Sequence, residues 1–336
     1  MTQEGPALSV IIVNYNSGER LTRVFAALDR QTWRDFETLL VDNASSDDSA
    51  SLAAEYPHLV TVKMSPVNTG FAGGVMIGAA MAKGEWLVVL NPDAYPESDW
   101  LEKLMAAAME YGPETLLGSV QLTEDEEDRL DGLGDVYHMS GVAWRGGFGK
   151  SAALTPTEDR EIFAPCFAAA ALHRERFLSL GGLDEDFFCY HEDVDFGFRH
   201  RLAGGRAVLV HDAIVHHEGS GITGRYSDFT VFHGIRNRMW TFVKNTPLAL
   251  MPVMLPAYLF FSAGFLLRSF MLGIGKPYMR GFAAGVKGLP RMLKKRGEVQ
   301  KTRTAALGRI AGILNWSPIA PFRRAPDLRP ISPPQP

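Results

Sequence analysis

Apolar runs alternate with helix-like stretches through the first 120 residues, and this alternation constrains the fold more than any other feature of the chain. Short aliphatic or β-branched runs predict five strands, at residues 8–13, 38–41, 60–62, 87–90 and 116–120. Apolar residues at helical spacing predict helices between them, at residues 19–30, 46–55, 71–81 and 100–110. Strands separated by helices imply right-handed crossovers and a mostly parallel α/β sheet with flanking helices.

Polar residues follow three of the predicted strands, where a parallel sheet binds its ligands. Asn14 follows the first strand, Asp42 the second and Asp93 the fourth. Asp and Asn also favour turns for local reasons, so this placement alone leaves a turn role open. Pro92 stiffens the chain before Asp93, and a carboxylate held there beside a diphosphate is a natural ligand for Mg²⁺ or Mn²⁺. The alternative is a type I turn with proline in its second position.

Two further segments carry candidate chemistry. Residues 68–74 (NTGFAGG) precede a helix, where glycines allow a close backbone approach and a helix N-terminus attracts anions. This is not the spacing of a dinucleotide-binding motif. Residues 190–195 (YHEDVD) place four ionisable side chains at the start of another helix, where a carboxylate can act as a general base or simply favour the first helical turn. His216 and His217 follow a later strand, so an imidazole can join Asp93 on a metal or have a structural role.

The order and spacing of these motifs resemble the family 2 glycosyltransferases, inverting enzymes with the Rossmann-like GT-A fold. The similarity is greatest to the rhamnosyltransferase-like bacterial branch and covers about residues 7–245. The motifs that carry it are SVIIVNYN at 9–16, VDNASSD at 41–47, NTGFAGG at 68–74, LNPD at 90–93, HEDVD at 191–195 and HHEG at 216–219.

The resemblance implies a nucleotide-sugar donor and assigns its contacts. Asn14 and Asp42 would meet the nucleotide base, and Asp42 would accept a hydrogen bond from a pyrimidine N3–H. The nucleotide side of the cleft would be lined by Asn68, Gly70 and Phe71.

The same resemblance implies the residues that act at the reacting bond. Asn91 and Asp93 occupy the place of the DxD motif, with Asp93 as the ligand of Mg²⁺ or Mn²⁺ and Asn91 as a departure from the strict motif. His217 would be a second metal ligand, with His216 as the fallback because the doublet leaves the register open. Asp193 would be the catalytic base. The remaining assignments are Glu192 on the acceptor side, and Arg236 and Arg238 near the diphosphate.

Charge is divided sharply along the chain. Residues up to 243 carry 19 Lys and Arg against 36 Asp and Glu, whereas residues from 244 onward carry 15 against 2. An acidic body argues against a nucleic-acid partner, and a basic, apolar C-terminal region suits an anionic membrane surface.

The C-terminal region predicts a membrane-associated part. Residues 248–267 hold no charge over 20 residues, long enough to cross a bilayer, but Pro252 and Pro256 interrupt them and basic residues follow. Helices in the cytoplasmic interface, with a possible re-entrant hairpin, are therefore expected; the alternative is a core for the catalytic domain or a dimer.

Three regions are predicted: a catalytic domain at 1–245, apolar and basic helices at 246–312, and a proline-rich disordered tail at 313–336. Glycines predict a mobile loop at 132–149. Two cysteines and the lack of a basic leader place the chain in the cytoplasm, peripheral on the inner membrane face.

The resulting hypothesis is transfer of rhamnose from dTDP-rhamnose to a lipid-linked or cell-envelope glycan. Alternatives are a galactofuranosyl- or mannosyl-type transferase using a UDP or GDP donor, and, from another class, a metal-dependent hydrolase built on Asp93, Asp193 and His216 or His217.

Overall fold

A computed structural model describes residues 5–126, 128–219 and 227–331. Within them the strands follow the predicted alternation through residue 123 and then continue into a second set. In chain order they are β1 (Leu8–Asn14), β2 (Phe36–Asp42), β3 (Val60–Met64), β4 (Trp86–Leu90), β5 (Ala94–Pro96), β6 (Thr115–Thr123), β7 (Leu130–Gly132), β8 (Asp135–Tyr137), β9 (Ala143–Arg145), β10 (Arg160–Glu161), β11 (Ala169–His173) and β12 (Arg206–His217).

The described strands build one large central sheet. Its order is β3-β2-β1-β4-β11-β6-β12-β10, and β5 and β7 extend it by pairing with β12 and β6. Neighbours β1, β2, β3 and β4 are parallel, as are β6 and β12, while β11 runs antiparallel to both β4 and β6. The fold is therefore α/β with a mostly parallel sheet, as the sequence predicts.

Helices cover both faces of the sheet and continue into the C-terminal region. They are α1 (Arg20–Asp29), α2 (Gly70–Met81), α3 (Trp100–Tyr111), α4 (Arg174–Ser179), α5 (Glu192–Leu202), α6 (Asp228–Asn245), α7 (Met251–Met271), α8 (Gly275–Lys301), α9 (Leu307–Ile313) and α10 (Ala320–Arg323). One apolar core lies under α1 and α3, and a second lies on the opposite face under α2. Both faces are buried, which explains why the parallel strands are almost continuously apolar.

Small residues let α2 lie close against β1. A Cβ atom added to Gly74 would come within 2.5 Å of Val13, and one added to Gly78 within 2.5 Å of Ile11. Atoms that close would force the helix off the sheet. These glycines therefore serve helix–sheet packing.

Two local predictions are wrong. Residues 132–149 are not a mobile loop, because β8 and β9 form a hairpin that buries Tyr137 and Trp144. The predicted helix at 46–55 is a 3₁₀ helix over Ser49–Glu55, which begins after Asp48.

The C-terminal helices pack on the α/β body. Helix α8 runs along α6, where Gly288 lies against Trp240, and Arg296 donates hydrogen bonds of 2.7 Å to the carbonyl oxygens of Val243 and Thr246. Helix α7 packs through Tyr258, whose ring stacks on that of Phe242 in α6 with the ring centroids 4.4 Å apart. Both rings lie next to Gly141 in the turn of the β8–β9 hairpin. The division at residue 245 stays a prediction, since the helices on either side of it share buried surface.

The described part of the predicted tail is ordered against the domain. Arg329 exchanges backbone hydrogen bonds with Glu161, Asn315 donates to the carbonyl oxygen of Tyr137, and Trp144 donates to that of Ala325. Disorder was expected from the proline content, but proline is compatible with an extended chain that pairs at an edge. Residues 332–336 lie outside the described residues.

Candidate active site at the carboxyl edge of the sheet

A buried polar cluster forms where β1 and β2 end. Asn14 and Asp42 are partners in the parallel register, and Asn14 Nδ2 donates a hydrogen bond of 2.7 Å to Asp42 Oδ1. The same amide donates to Ser49 Oγ at 2.8 Å, and Asp42 Oδ2 accepts from the backbone N–H of Ser45. Both side chains are fully buried, so their orientation is fixed before any ligand arrives.

Asn43 joins this cluster to the glycine-containing segment. Its Nδ2 donates to Asn68 Oδ1 at 3.1 Å and to the Gly70 carbonyl at 2.9 Å, while its Oδ1 accepts from the Thr69 N–H. Asn68 and Gly70 are thereby held next to Asp42, and Phe71 lies half-buried beside them. This role of Asn43 was not predicted, although the residue lies within the VDNASSD motif.

Gly70 brings the segment against the loop that precedes α5. Its φ is +74°, and an added Cβ would come within 2.3 Å of the Phe188 carbonyl oxygen. That oxygen accepts a hydrogen bond from the Ala72 N–H. Only glycine fits this contact, so here the residue serves a close backbone approach.

Strand β5 brings Asp93 and His217 together. It pairs with the end of β12, so that His217 lies opposite Ala94, next to Asp93. Asp93 Oδ1 lies 3.2 Å from His217 Nε2, and Asn91 Nδ2 lies 3.4 Å from the same nitrogen. Asp93 and His217 are each 4% exposed.

The histidine doublet is resolved by strand geometry. Successive side chains of a strand point to opposite faces. His217 faces Asp93, whereas His216 Nε2 lies 3.5 Å from Glu97. The structure therefore separates His216 from Asp93, and the fallback ligand is dropped.

The other nitrogen of His217 is held by a carboxylate that the sequence analysis missed. His217 Nδ1 lies 2.7 Å from Asp131 Oδ2, and Arg145 pairs with the same carboxylate oxygen. Burial disfavours a charged ring, but the hydrogen bonds to Asp131 and Asp93 outweigh it and raise the pKa of His217 to about 9. Only the pairing of β7 with β6 brings Asp131 here, so no local motif could reveal it.

These side chains fit a divalent cation. Asp93 offers a carboxylate oxygen and His217 an imidazole nitrogen that Asp131 orients from behind, and Asn91 adds an amide. Mixed oxygen and nitrogen donors suit Mn²⁺, and Mg²⁺ takes one or two carboxylates together with substrate phosphates. A carboxylate behind a ligating histidine fixes its tautomer, which is the usual arrangement at metal sites.

Three carboxylates lie in the first turn of α5, those of Glu192, Asp193 and Asp195. Asp193 Oδ2 lies 3.5 Å from the Phe167 N–H group, and Asp193 Oδ1 accepts from the Val194 N–H at 2.7 Å. Burial raises the pKa of Asp193, against the opposing effects of the Val194 N–H and Arg145. Burial and the charge of Asp193 raise the pKa of Glu192 well above its usual value. A carboxyl with a raised pKa is a better proton acceptor when ionised.

The segment before α5 has strained backbone conformations and is held by hydrogen bonds. Phe188, Tyr190 and His191 have φ values of 64°, 70° and 69°, a conformation that is uncommon for residues other than glycine. The fully buried Asn237 holds this turn: its Nδ2 lies 2.9, 2.9 and 2.7 Å from the carbonyl oxygens of Phe187, Cys189 and Tyr190. Asn237 therefore fixes the start of α5, a role that its neighbours in sequence do not indicate.

A further carboxylate, from a different element, lies in the same region. Asp135 is 7% exposed on β8, directly across the hairpin from Arg145. Burial and then the charge of Asp193 raise its pKa well above the usual value. Asp135 was absent from the predicted site because its segment was expected to be a mobile loop.

Arg236 and Arg238 are not brought to a common place. Residues two apart on a helix point to different sides. Arg236 donates to the Phe187 carbonyl at 2.7 Å and lies 4.5 Å from the Trp240 ring. Arg238 is 6% exposed and donates to the Ser140 carbonyl oxygen. Both guanidiniums therefore have protein partners, and their placement near the diphosphate stays a prediction.

Another cluster of possible metal ligands lies elsewhere on β12. Ligand atoms of Asp159, His211 and Asp212 lie within 4.8 Å of one another. Hydrogen bonds from Tyr111 and His211 already reach Asp159, at 3.0 and 2.7 Å. These contacts account for the cluster as a local polar network.

The sequence profile of the family described as glycosyl transferase family 2 matches residues 9–177, about half of the chain. The chain belongs to this family. It is a nucleotide-sugar glycosyltransferase with the GT-A fold, as the resemblance of its motifs implied.

Relatives in this family include the N-acetylglucosaminyl-diphospho-decaprenol L-rhamnosyltransferase of Mycobacterium tuberculosis. It is 28% identical over 243 residues, which cover 65% of this chain and 78% of the relative. The O-antigen biosynthesis protein RfbC of Myxococcus xanthus is 31% identical over 228 residues, covering 64% of this chain and 18% of RfbC.

Solved structures with the same fold include GalNAc-T7 with UDP, GalNAc and Mn²⁺, and the mannosyltransferase PcManGT of Pyrobaculum calidifontis with GDP-Man and Mn²⁺. GalNAc-T7 has a TM-score of 0.58 at 20% identity, covering 72% of this chain and 48% of its own. PcManGT has a TM-score of 0.52 at 16% identity, covering 88% and 87%. At these identities the likeness concerns the fold.

Proposed function

We propose that this glycosyltransferase moves a sugar, with inversion, from a nucleotide sugar bound at the carboxyl edge of the sheet to an acceptor hydroxyl near Asp193. The arrangement of Asp93 and His217 carries the proposal. Asp93 Oδ1 and His217 Nε2 lie 3.2 Å apart. Arg145 forms an ion pair with Asp131, which contacts the other nitrogen of His217, and its charge also opposes the rise in the pKa of Asp193. A leaving-group site and a proton acceptor thus lie within electrostatic reach of each other.

Each residue then has one task in the transfer. Asn14 and Asp42 hold the nucleotide base, and Asn68, Gly70 and Phe71 line its cleft. Asp93 and His217, with Asn91, would hold a divalent cation, which would neutralise charge on the departing diphosphate.

The reaction is a single displacement. The acceptor oxygen attacks the anomeric carbon, the bond to the diphosphate breaks, and the hydroxyl proton passes to Asp193, with Glu192 on the acceptor side. No covalent sugar–enzyme intermediate is needed, in contrast to retaining glycosidases.

We propose dTDP-rhamnose as the donor and a lipid-linked or cell-envelope glycan as the acceptor. The rhamnosyltransferase relative supports both, because its name specifies L-rhamnose and a diphospho-decaprenol acceptor. The PcManGT structure keeps a GDP-mannose donor as the alternative. Family membership removes the metal-dependent hydrolase from consideration.

A donor screen tests the proposal. Release of nucleoside diphosphate should be fastest from dTDP-rhamnose among dTDP-, UDP- and GDP-sugars, should need Mn²⁺ or Mg²⁺, and should increase with a polyprenyl-diphosphate glycan acceptor. A preference for GDP-mannose would replace the rhamnose assignment and leave the transferase chemistry intact. Donor turnover that proceeds equally with excess EDTA would contradict the metal assignment.

Replacing Asp131 with Asn should weaken Mn²⁺ binding by about 10–100-fold, because the amide does not hold His217 as the carboxylate does. Paramagnetic resonance of Mn²⁺ in the presence of nucleoside diphosphate measures this affinity directly. Asp159→Asn is the matched control, since it removes another carboxylate–histidine contact of 2.7 Å and reports on any Mn²⁺ held there. Equal Mn²⁺ affinity for wild type and Asp131→Asn would argue against metal binding through His217.

We propose that the enzyme works on the inner face of the cytoplasmic membrane, with α7 in the interface. The segment Leu248–Met271 is long and apolar enough to cross a bilayer, and little of it is buried against the protein. Leu259, Phe260 and Leu267 are 58%, 75% and 67% exposed. Since Tyr258 on the same helix packs on Phe242, α7 has one face on the protein and one facing outward. We call the outward one the apolar face.

Substituting the apolar face tests this assignment. Leu259→Ser with Phe260→Ser should weaken binding to anionic vesicles at least tenfold, because each side chain contributes about 1.5–3 kcal/mol when buried. High salt should weaken wild-type binding only partly, since apolar insertion survives screening. Met109→Ser on α3, where the side chain is 72% exposed, is the control. Undiminished vesicle flotation of the double variant would exclude α7 as the contact.

Deletion of the whole C-terminal region would be a poor test. Helix α8 covers Trp240, and Arg296 hydrogen-bonds the last turn of α6. Truncation near residue 245 would expose this surface and destabilise the fold. A loss of vesicle binding by the truncated protein would then not distinguish unfolding from the loss of a membrane contact.

A further inference from the structure

A groove opens where α7 begins and α8 nears its end. Its volume is about 650 Å³, within the range of about 300–1,000 Å³ typical of small-ligand sites. Helix α8 contributes Leu293, Arg296 and Gln300 to its lining, and Leu248, Arg303 and Leu307 line it as well. No residue of the proposed active site lines it.

The two arginines of the groove lack an anionic partner. Arg296 Nη1 donates to two carbonyl oxygens, and Arg303 Nη1 donates to that of Ala305 at 2.8 Å. Among the described residues, the ion pairs reach neither guanidinium. Burial lowers the pKa of Arg296 without an offsetting carboxylate. Two partly buried positive charges that the protein leaves unneutralised favour an anionic ligand.

Apart from Gln300, the rest of the groove is apolar and continues onto the outer surface. Leu248 is 77% exposed and Leu293 is 55% exposed. Leu248 begins the segment that becomes α7, so the rim of the groove joins the region that carries the apolar face. A small hydrophilic anion would gain nothing from these leucines, whereas a molecule with a phosphate and hydrocarbon chains would contact both parts.

We propose that this groove binds the phosphate headgroup of an anionic membrane phospholipid, with the phosphate at Arg296 and Arg303 and the acyl chains along Leu248 and Leu293. The proposal rests on the membrane association proposed above and adds a defined site to it. Guanidinium groups suit this role because they bind phosphate oxygens in pairs. The bound lipid would hold the start of α7 at headgroup depth.

Single-charge variants separate a site from diffuse attraction. Each basic residue near an anionic membrane contributes about fivefold to binding, wherever it lies on the surface. Arg303→Gln should instead raise the dissociation constant for phosphatidylglycerol vesicles at least tenfold. Arg280→Gln is the matched control, because Arg280 is an exposed arginine of α8 outside the groove. Arg303 is chosen over Arg296 because Arg296 also holds the end of α6.

Calorimetric titration with a short-chain phosphatidylglycerol, kept below its micelle concentration, completes the experiment with the full-length protein. One site per protein, lost in Arg303→Gln and kept in Arg280→Gln, is the expected result. Equal losses in the two variants would overturn the site in favour of diffuse electrostatics, and inorganic phosphate that binds as tightly would overturn the lipid assignment.

The outcomes also distinguish this proposal from the ones it rests on. Wild-type protein that binds no vesicles would overturn both the groove and the membrane association. Release of nucleoside diphosphate, measured on the same variants, should be unchanged with a water-soluble acceptor and reports on the transfer reaction alone.

Discussion

Acceptor-dependent turnover should fall by about 10²–10⁴-fold in Asp193→Asn, while donor affinity changes little. The amide keeps the shape of the side chain but cannot accept the proton of the attacking hydroxyl. Its oxygen still accepts a hydrogen bond, so the contact with the Val194 N–H survives. The N-cap position of α5 belongs to His191, whose side chain makes no capping hydrogen bond, and the amide of Asn can replace the carboxylate in the first-turn contact.

The decisive measurement is turnover at saturating donor, together with donor titration and thermal unfolding of each variant. Glu192→Gln is the matched control and should lose less activity, because the neighbouring carboxylate remains. Asp195 is unsuitable as a control, since it is fully buried and pairs with Arg199, Lys244 and Asn245. Near-wild-type turnover in Asp193→Asn would move the base elsewhere. Glu192 and Asp135 are then the candidates, and Asp135→Asn tells them apart.

The same base sets a pH dependence. Burial raises the pKa of Asp193, and only the ionised carboxylate accepts a proton. Turnover should therefore rise with pH through a pKa above about 4, the usual value for a carboxyl, and this acidic limb should vanish in Asp193→Asn. A wild-type profile without this limb would contradict a carboxylate base.

Asp93→Ala should abolish the effect of Mn²⁺ on donor binding. The affinity for Mn²⁺ should fall by more than about 100-fold, because loss of a residue that only supports a metal ligand already costs up to about that factor. Asp93 supplies the carboxylate of the proposed cation site, and without it the site offers the cation only an imidazole and an amide. Calorimetric titration of donor with and without Mn²⁺ measures the effect.

Thermal unfolding checks that the Asp93 variant folds. Asp125→Ala, which removes an exposed carboxylate, is the matched control and should bind donor as the wild type does. Equal Mn²⁺-dependent donor affinity in Asp93→Ala and wild type would remove Asp93 from the metal site.

Much of the fold and part of the site were predictable from local sequence. Strand and helix periods are local properties, so β1 to β4 and helices α1, α2 and α3 appear within a few residues of their predicted bounds. Parallel strands in register end at one edge, and this rule brought Asn14 and Asp42 together as expected. The family itself followed from short motifs in a fixed order.

The choice between His216 and His217 depended on tertiary structure. The doublet reads the same in either register, and only the pairing of β5 with β12 turns His217 towards Asp93. Arg236 and Arg238 diverge for a related reason: the direction of a helical side chain depends on how the whole helix packs. The sequence identified these histidines and arginines, but it did not determine the direction in which each side chain points.

The sequence by itself determined the α/β alternation, the polar strand ends and the separation of charge along the chain, because each depends on neighbouring residues. Tertiary structure alone decided that Asp131 and Asp135 join the site, that the 132–149 segment is a buried hairpin, and that residues 313–331 pack on the domain. These features arise from contacts between segments far apart in the chain. Contacts of that kind are stabilised by complementary shape and charge across the fold, which no local pattern records.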